Sequence, residues 1–374
     1  MNYKTIVFEE LNVVVRIATF EGEYYVSAEI TTEASTSAEH QHNSIEKAIL
    51  KAQEKFFKNT TLVWKRLFVS DIINQKEFLK NDVWSIVQQA PLNRSKVSAI
   101  AYFVDEKNSK ADFLPSGDII LTRPNYTHLF SGRMFSKEAN TAEQTTDIFN
   151  NYIKKLAEHK LSLQGNTIRT WIYVKDVDSR YADMVSARNK IFDKVGLTAD
   201  THSIASTGIE GRYFYPQAFV LIDAYSANVS KEQISFLKAE THLNSTHEYG
   251  VSFERGTAVD YADRRHIFIS GTASINNKGE IVAVNNIEKQ IERTIENIGE
   301  LLKEGKATMQ DVSHFIIYLR DSGDYALVEK YFADNYPDTP HVIVHAPVCR
   351  PGWLIEIECI AITPQSVVNN FREF

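Results

Sequence analysis

Cysteine is nearly absent from this chain: two in 374 residues, Cys349 and Cys359, ten apart in one segment. That spacing makes neither a disulfide framework nor a zinc pattern and points to a reducing, cytoplasmic setting. Long apolar runs are absent too; none reaches the roughly 18 residues that a membrane helix needs, so no membrane partner is expected. The opening stretch, MNYKTIVFEELNVVVRI, breaks its apolar residues with two glutamates and an asparagine, and no cleavable signal pattern is expected there. Positive charge is in deficit. Lys and Arg number 41 against 48 Asp and Glu, a net charge of −7, which argues against a nucleic-acid partner. Phosphate-loop spacing, a nucleophile elbow and a dinucleotide fingerprint are all missing. What remains is 43% hydrophobic and 24% charged residues, the make-up of a globular protein long enough for two or three domains.

The chain repeats itself. YYVSAEI (24–30), HLFSGRM (128–134) and IFISGTA (267–273) each run apolar residues into Ser followed by Gly or Ala, and each reads as a strand ending in a tight polar turn. A helix follows each, with apolar residues at helical spacing: Ile45, Ala48, Ile49, Ala52 and Phe56; Ile148, Phe149, Ile153 and Leu156; Ile287, Ile291, Ile295, Ile298 and Leu302, with Gly305 at a C-terminal position. Strands 62–71, 167–176 and 312–321 come next, and all three end in Asp. Second helices are predicted at 75–87, 181–192 and 324–336, and closing strands at 95–104, 216–227 and 352–363. The fold class is therefore α+β, in three tandem units over 1–110, 111–235 and 236–374, with linkers near 105–127 and 228–254.

The closing strand of the third unit carries chemistry. Side chains alternate along it, so Leu354, Glu356, Glu358 and Ile360 share a face. Two carboxylates on an apolar strand each need a partner or a proton. For Glu358 the expectation is an ion pair across a unit interface; for Glu356 it is function. The first unit has Ala99 and Ala101 where the third has its glutamates, and the second has Asp223. One working site per chain is expected, with the first unit degenerate. No metal is expected. His40 and His42 lie in a polar stretch read as a loop, and His341 and His345 stand four apart on an apparent strand without a carboxylate triad.

ISGTASI (269–275), ATMQDVSHFIIYLRD (307–321) and LIEIECIAIT (354–363) resemble the RidA/YjgF superfamily. The resemblance implies a chorismate-mutase-like α+β unit, and three such units in one chain imply an intramolecular pseudo-trimer, alone or as a homo-oligomer. Counting back from Glu356, the arginine with which most members hold a substrate carboxylate is replaced by His341.

A second resemblance is to the chorismatases, RidA-related enzymes of similar length that hydrolyse the enolpyruvyl ether of chorismate to pyruvate and a hydroxybenzoate or dihydrodiol. It rests on Tyr181 and Arg188 in RYADMVSARNKIF, on SFERG (252–256) with Arg255, and on Cys349, Arg350, Pro351, Trp353, Leu354 and Glu356. It implies Glu356 as general acid and Tyr181, Arg188, Arg255, Cys349 and Arg350 as substrate contacts. The family's second substrate tyrosine aligns with Ser245, with Tyr249 as substitute; Asn276 and Asn277 replace its Gly-His pair. The expected function is chorismatase-like hydrolysis without cofactor, on a chorismate-like carboxylate. The alternatives are a RidA-type enamine/imine deaminase and a non-catalytic small-carboxylate binding protein. The cleft should lie between the second and third units.

Overall fold

The computed structural model describes residues 1–31, 36–78, 80, 83–246, 250–365 and 370–374. Among these residues the chain forms three six-stranded sheets, each with its own helices, an α+β architecture. The first unit runs β1 (Asn2–Phe8), β2 (Val13–Phe20), β3 (Glu23–Ile30), α1 (Ala38–Phe56), β4 (Thr60–Val69), α2 (Ile72–Gln75), β5 (Ser85–Gln88) and β6 (Val97–Asp105). The second runs β7 (Lys110–Phe113), β8 (Ile119–Thr122), β9 (Thr127–Phe135), α3 (Thr141–Glu158), α4 (Leu163–Asn166), β10 (Thr167–Val174), α5 (Val177–Lys194), β11 (Ala205–Glu210) and β12 (Val220–Ala227). The third runs β13 (Ile234–Leu237), β14 (Gly256–Asp260), β15 (Arg264–Ala273), α6 (Ile287–Glu304), β16 (Val312–Leu319), α7 (Tyr325–Asn335), β17 (His341–His345) and β18 (Ile355–Pro364). The strand orders, β1-β2-β3-β6-β4-β5, β7-β8-β9-β12-β10-β11 and β13-β14-β15-β18-β16-β17, are one topology repeated. β7, β8 and β13 fall in the stretches read as linkers.

The first long helix of each unit starts the same way. Ser37, Asn140 and Asn286 cap α1, α3 and α6, their side chains accepting the backbone N–H of His40, Glu143 and Lys289. In α6 the predicted face, Ile287, Ile291, Ile295, Ile298 and Leu302, is buried throughout, at roughly 1.5–3 kcal/mol per side chain. Gly305 is its C-cap, but the left-handed turn falls on Lys306, with φ 60°.

Four local expectations are corrected. The Ser-Gly pairs do not end their strands: β9 and β15 run on past them to Phe135 and Ala273, with register shifts that mark β-bulges. The helix expected over 75–87 is only α2 and a single 3-10 turn, because 85–88 pairs with β4 as β5. His40 and His42 lie in the first turns of α1, not in a loop, and His42 is buried against Gln75 at 3.0 Å. The counterparts of Glu356 and Glu358 in the first unit are Ser98 and Ile100 rather than Ala99 and Ala101. Ile100 pairs with Arg66 and Glu358 with Ile316, and both partners stand five residues before the strand-ending Asp. A one-residue slip moves a side chain to the opposite face.

The units close into a ring through their edge strands. Gln88 N–H donates to Arg212 O (2.9 Å), Glu210 N–H to Pro347 O (3.1 Å) and Leu92 N–H to Ile343 O (3.0 Å), which join first to second, second to third and third to first. This cyclic pattern puts the inner sheet faces around a common pseudo-threefold axis, and each interface lies between one unit's edge strand and the third strand of the next unit, β9, β15 or β3, of which β9 and β15 are bulged.

Candidate active site

Buried charge lines the axis. Burying an isolated carboxylate is unfavourable, and each one here has a partner from a neighbouring unit. Glu358 pairs with Arg169 (2.8 Å), accepts the indole N–H of Trp171 (2.7 Å) and accepts the hydroxyl of Thr207. Asp223 faces Arg66 at 3.4 Å and accepts the Ser85 hydroxyl and the Arg133 N–H. Glu23 meets Arg264 at 2.5 Å, His266 at 3.0 Å and the Tyr102 hydroxyl at 2.6 Å, contacts that hold it well below the usual carboxylate range despite its burial. Glu358 is thus the cross-interface ion pair that the sequence predicts.

Glu356 differs. It lies two residues along on the same face, 4% exposed, at the wall of a narrow cleft between the second and third units. Burial, reinforced by the Glu358 charge, pushes its pKa up to about 8 against the opposing pull of Arg169 and Arg255. The carboxyl sits directly over Gly271, where a Cβ would lie 2.0 Å from its Oε1. Across the cleft, the Tyr181 ring lies over Gly208, where a Cβ would meet Cε2 at 2.9 Å. Two glycines therefore make the room that these two side chains fill.

α5 places Tyr181 and Arg188 on one helical face, and both line the cleft. Arg255 enters from the segment before β14, its guanidinium within 3.3 Å of Asn244 O and 3.1 Å of Asn244 Oδ1. Cys349 and Arg350 come from the loop after β17, with Arg350 against the Trp353 ring. Tyr181 and Cys349 are neighbours in the cleft lining. Burial pushes the Cys349 thiol up to about 12, with the Glu356 charge adding to it, and the Tyr181 hydroxyl also lies well above its usual range. The cleft thus offers one protonated carboxyl, two neutral S–H and O–H groups and three guanidiniums. That set suits an anionic ligand and a proton transfer.

His341 is not part of this cleft. It is buried in β17, its Nδ1 at 2.8 Å from Thr339 O, and burial moves its pKa down to about 3. β17 is the edge strand facing the first unit, and His341 N–H donates to Ser27 Oγ (3.3 Å). Thr207 pairs with Trp171 and Val342 with Ile316, which makes Ser206 the counterpart of His341 at the cleft. Tyr249 lies outside the described residues; Ser245 is described and does not line the cleft. Ser206 and Gly208 carry no signal in the sequence, because the edge strand β11 has too short an apolar pattern to be read, whereas Gly271 belongs to the repeated Ser-Gly motif of β15.

The other two interfaces are built differently. Gly132, the counterpart of Gly271, is covered by Trp84: a Cβ there would lie 2.2 Å from the Trp84 carbonyl and 2.6 Å from its ring. At the third interface Ala28 replaces the glycine. The positions equivalent to Glu356 are Leu221 and Ser98, neither of which can give a proton as an acid does. Among the described residues no three His, Cys, Asp or Glu side chains gather as a metal-binding group, and no helix is long and apolar enough to cross a membrane.

A model of the family described as Endoribonuclease L-PSP matches residues 256–363, the third unit. Over 98 residues the chain is 35% identical to a RutC family protein of Pyrococcus abyssi, covering 25% of this chain and 76% of that protein. Over 97 residues it is 26% identical to the 3-aminoacrylate deaminase RutC of Acinetobacter baylyi, covering 25% of this chain and 77% of that one. In fold the chain is similar to a chorismatase crystal structure, with a TM-score of 0.64 and 17% identity over 82% of this chain and 95% of the other. The third unit carries the sequence likeness and the other two repeat its topology, and the chain belongs to the RidA/YjgF family, which it represents with three units in one polypeptide.

Proposed function

We propose that the chain hydrolyses the enolpyruvyl ether of a chorismate-like dicarboxylate, with Glu356 as general acid. The observation that carries this reading is Glu356 itself: a buried carboxyl with pKa near 8, protonated at neutral pH and lining a cleft with three arginines. The Glu356 proton goes to the methylene carbon of the enol ether, which becomes a methyl group, and leaves an oxocarbenium ion. Water adds to the oxocarbenium carbon, not to the new methyl, and returns a proton to Glu356; the resulting hemiketal hydroxyl becomes the carbonyl of pyruvate as its C–O bond to the ring breaks and the ring oxygen leaves as the alcohol with the proton. Arg188, Arg255 and Arg350 supply charge for two carboxylates, and Tyr181 and Cys349 supply neutral hydrogen-bonding groups beside the acid.

The likeness to the 3-aminoacrylate deaminase RutC favours a second reading, imine or enamine hydrolysis. Against it, the position of that family's carboxylate-holding arginine is Ser206 at this cleft. Purified protein incubated with chorismate and assayed for pyruvate separates the readings. Pyruvate release that is lost in Glu356→Gln supports the first. Ammonia release from a freshly generated imine, with chorismate untouched, selects the second. Thermal stabilisation by chorismate without turnover selects a binding protein.

A further inference from the structure

Thr207 lies in β11 of the second unit, 1% exposed, and touches no cleft space itself. Its hydroxyl is nevertheless saturated across the interface. It donates to Glu358 Oε2, accepts the Gly271 N–H at 2.9 Å and accepts an Arg169 N–H at 2.5 Å. One hydroxyl has one donor and two acceptor positions, and all three are used. Gly271 is the residue over which the Glu356 carboxyl sits. We propose that Thr207 is a positioning residue for Glu356: its hydroxyl ties the backbone of the Gly271 bulge to the Glu358–Arg169 ion pair and so fixes the seat of the acid.

The same joint occurs elsewhere in the ring without this function. Ser85 pairs with Arg66 as Thr207 pairs with Trp171, and its hydroxyl donates to Asp223 as Thr207 donates to Glu358. At that interface the bulge N–H, from Arg133, goes directly to Asp223 (2.8 Å), and Trp84 fills the space over Gly132. Only at the second–third interface does the hydroxyl hold the glycine. A second tie, Ser206 N–H to Ser270 Oγ at 2.9 Å, keeps the bulge attached when Thr207 is changed.

The inference rests on the reading of Glu356 as the acid, and the experiment separates the two. Thr207→Val, Thr207→Ser and Ser85→Ala are compared with the parent chain for kcat and KM on chorismate. The Glu356 titration is followed alongside by its carboxyl infrared band, assigned by its loss in Glu356→Gln. Thr207→Val keeps the shape and removes the hydroxyl, and kcat should fall about tenfold or more at a KM within about twofold, since small misplacement of a reacting group is enough for such a loss. Its Glu356 midpoint should also fall by about one pH unit as water reaches a loosened seat. Thr207→Ser should restore both, and Ser85→Ala should change neither while lowering stability.

Parent-like kcat and midpoint in Thr207→Val overturn the inference, as does an equal loss in Ser85→Ala. Should the parent chain leave chorismate unchanged, the proposed activity fails. The positioning role is then decided by the titration alone: a lowered midpoint in Thr207→Val supports it and an unmoved one overturns it. If Thr207→Val does not fold, Thr207→Cys, with its weakly bonding thiol, takes its place under the same criteria.

Discussion

Replacing Glu356 by Gln should abolish activity and stabilise the protein, increasingly so as pH rises. Gln keeps the shape of the protonated acid. The folded chain holds the Glu356 proton up to about pH 8, whereas the unfolded chain releases it near 4.5. Between those values the unfolded state binds fewer protons, so the parent protein loses stability as pH rises; below both the effect vanishes. At 1.36 kcal/mol for each unit of difference, the full effect is about 5 kcal/mol, and the part falling between pH 5 and pH 8 is about 3–4 kcal/mol. Urea unfolding of both proteins at pH 5, 6, 7 and 8 measures it. The stability gap, Gln variant over parent, should widen by about 3–4 kcal/mol across that series. A gap that stays constant, or narrows, would refute a buried, protonated Glu356 and with it the acid role.

Other consequences follow from the same geometry. Turnover should decline as pH rises through about 8, because the acid must hold its proton; a rate that keeps rising to pH 9.5 contradicts this. Gly271→Ala puts a methyl 2.0 Å from the Glu356 carboxyl and should lower kcat by roughly a hundredfold while the protein still folds, as checked by circular dichroism. Glu358→Gln leaves Arg169 without its buried counter-charge, while Arg66 keeps Asp223. It should cost about 3–5 kcal/mol in unfolding free energy and move the alkaline limb of any pH–rate profile downward, since the charge that helps raise Glu356 is gone. Cys349, its thiol pushed up to about 12, should react with iodoacetamide at pH 8 roughly a thousandfold more slowly in the native protein than in urea.

Much of the site was legible because its residues cluster in short motifs. Tyr181 and Arg188 share a helix whose periodicity is plain, and Cys349, Arg350 and Glu356 sit within eight residues of one another. The structure brings them together with Arg255. His341 was misplaced because counting along a chain cannot say which interface an edge strand faces; in a ring of repeats the same position serves a different neighbour in each unit. Ala99 and Ala101 were a slip of one residue on a strand apolar on both faces, where alternation gives no register. The helix expected over 75–87 gave way to β5, since four residues that pair with a neighbouring strand gain hydrogen bonds that local propensity does not foresee.

The amino-acid order by itself determined three α+β units, the apolar faces of their first long helices, and two carboxylates on one face of the last strand. These follow from local periodicity, which needs no partner to be recognised. Only the tertiary structure decided which carboxylate keeps its proton. Glu356 and Glu358 are two residues apart on the same strand face. Glu358 meets Arg169, Trp171 and Thr207 from the neighbouring unit, and Glu356 meets a glycine and the cleft. Charge state is set by what crosses the interface, and that is a property of the closed ring rather than of any one segment.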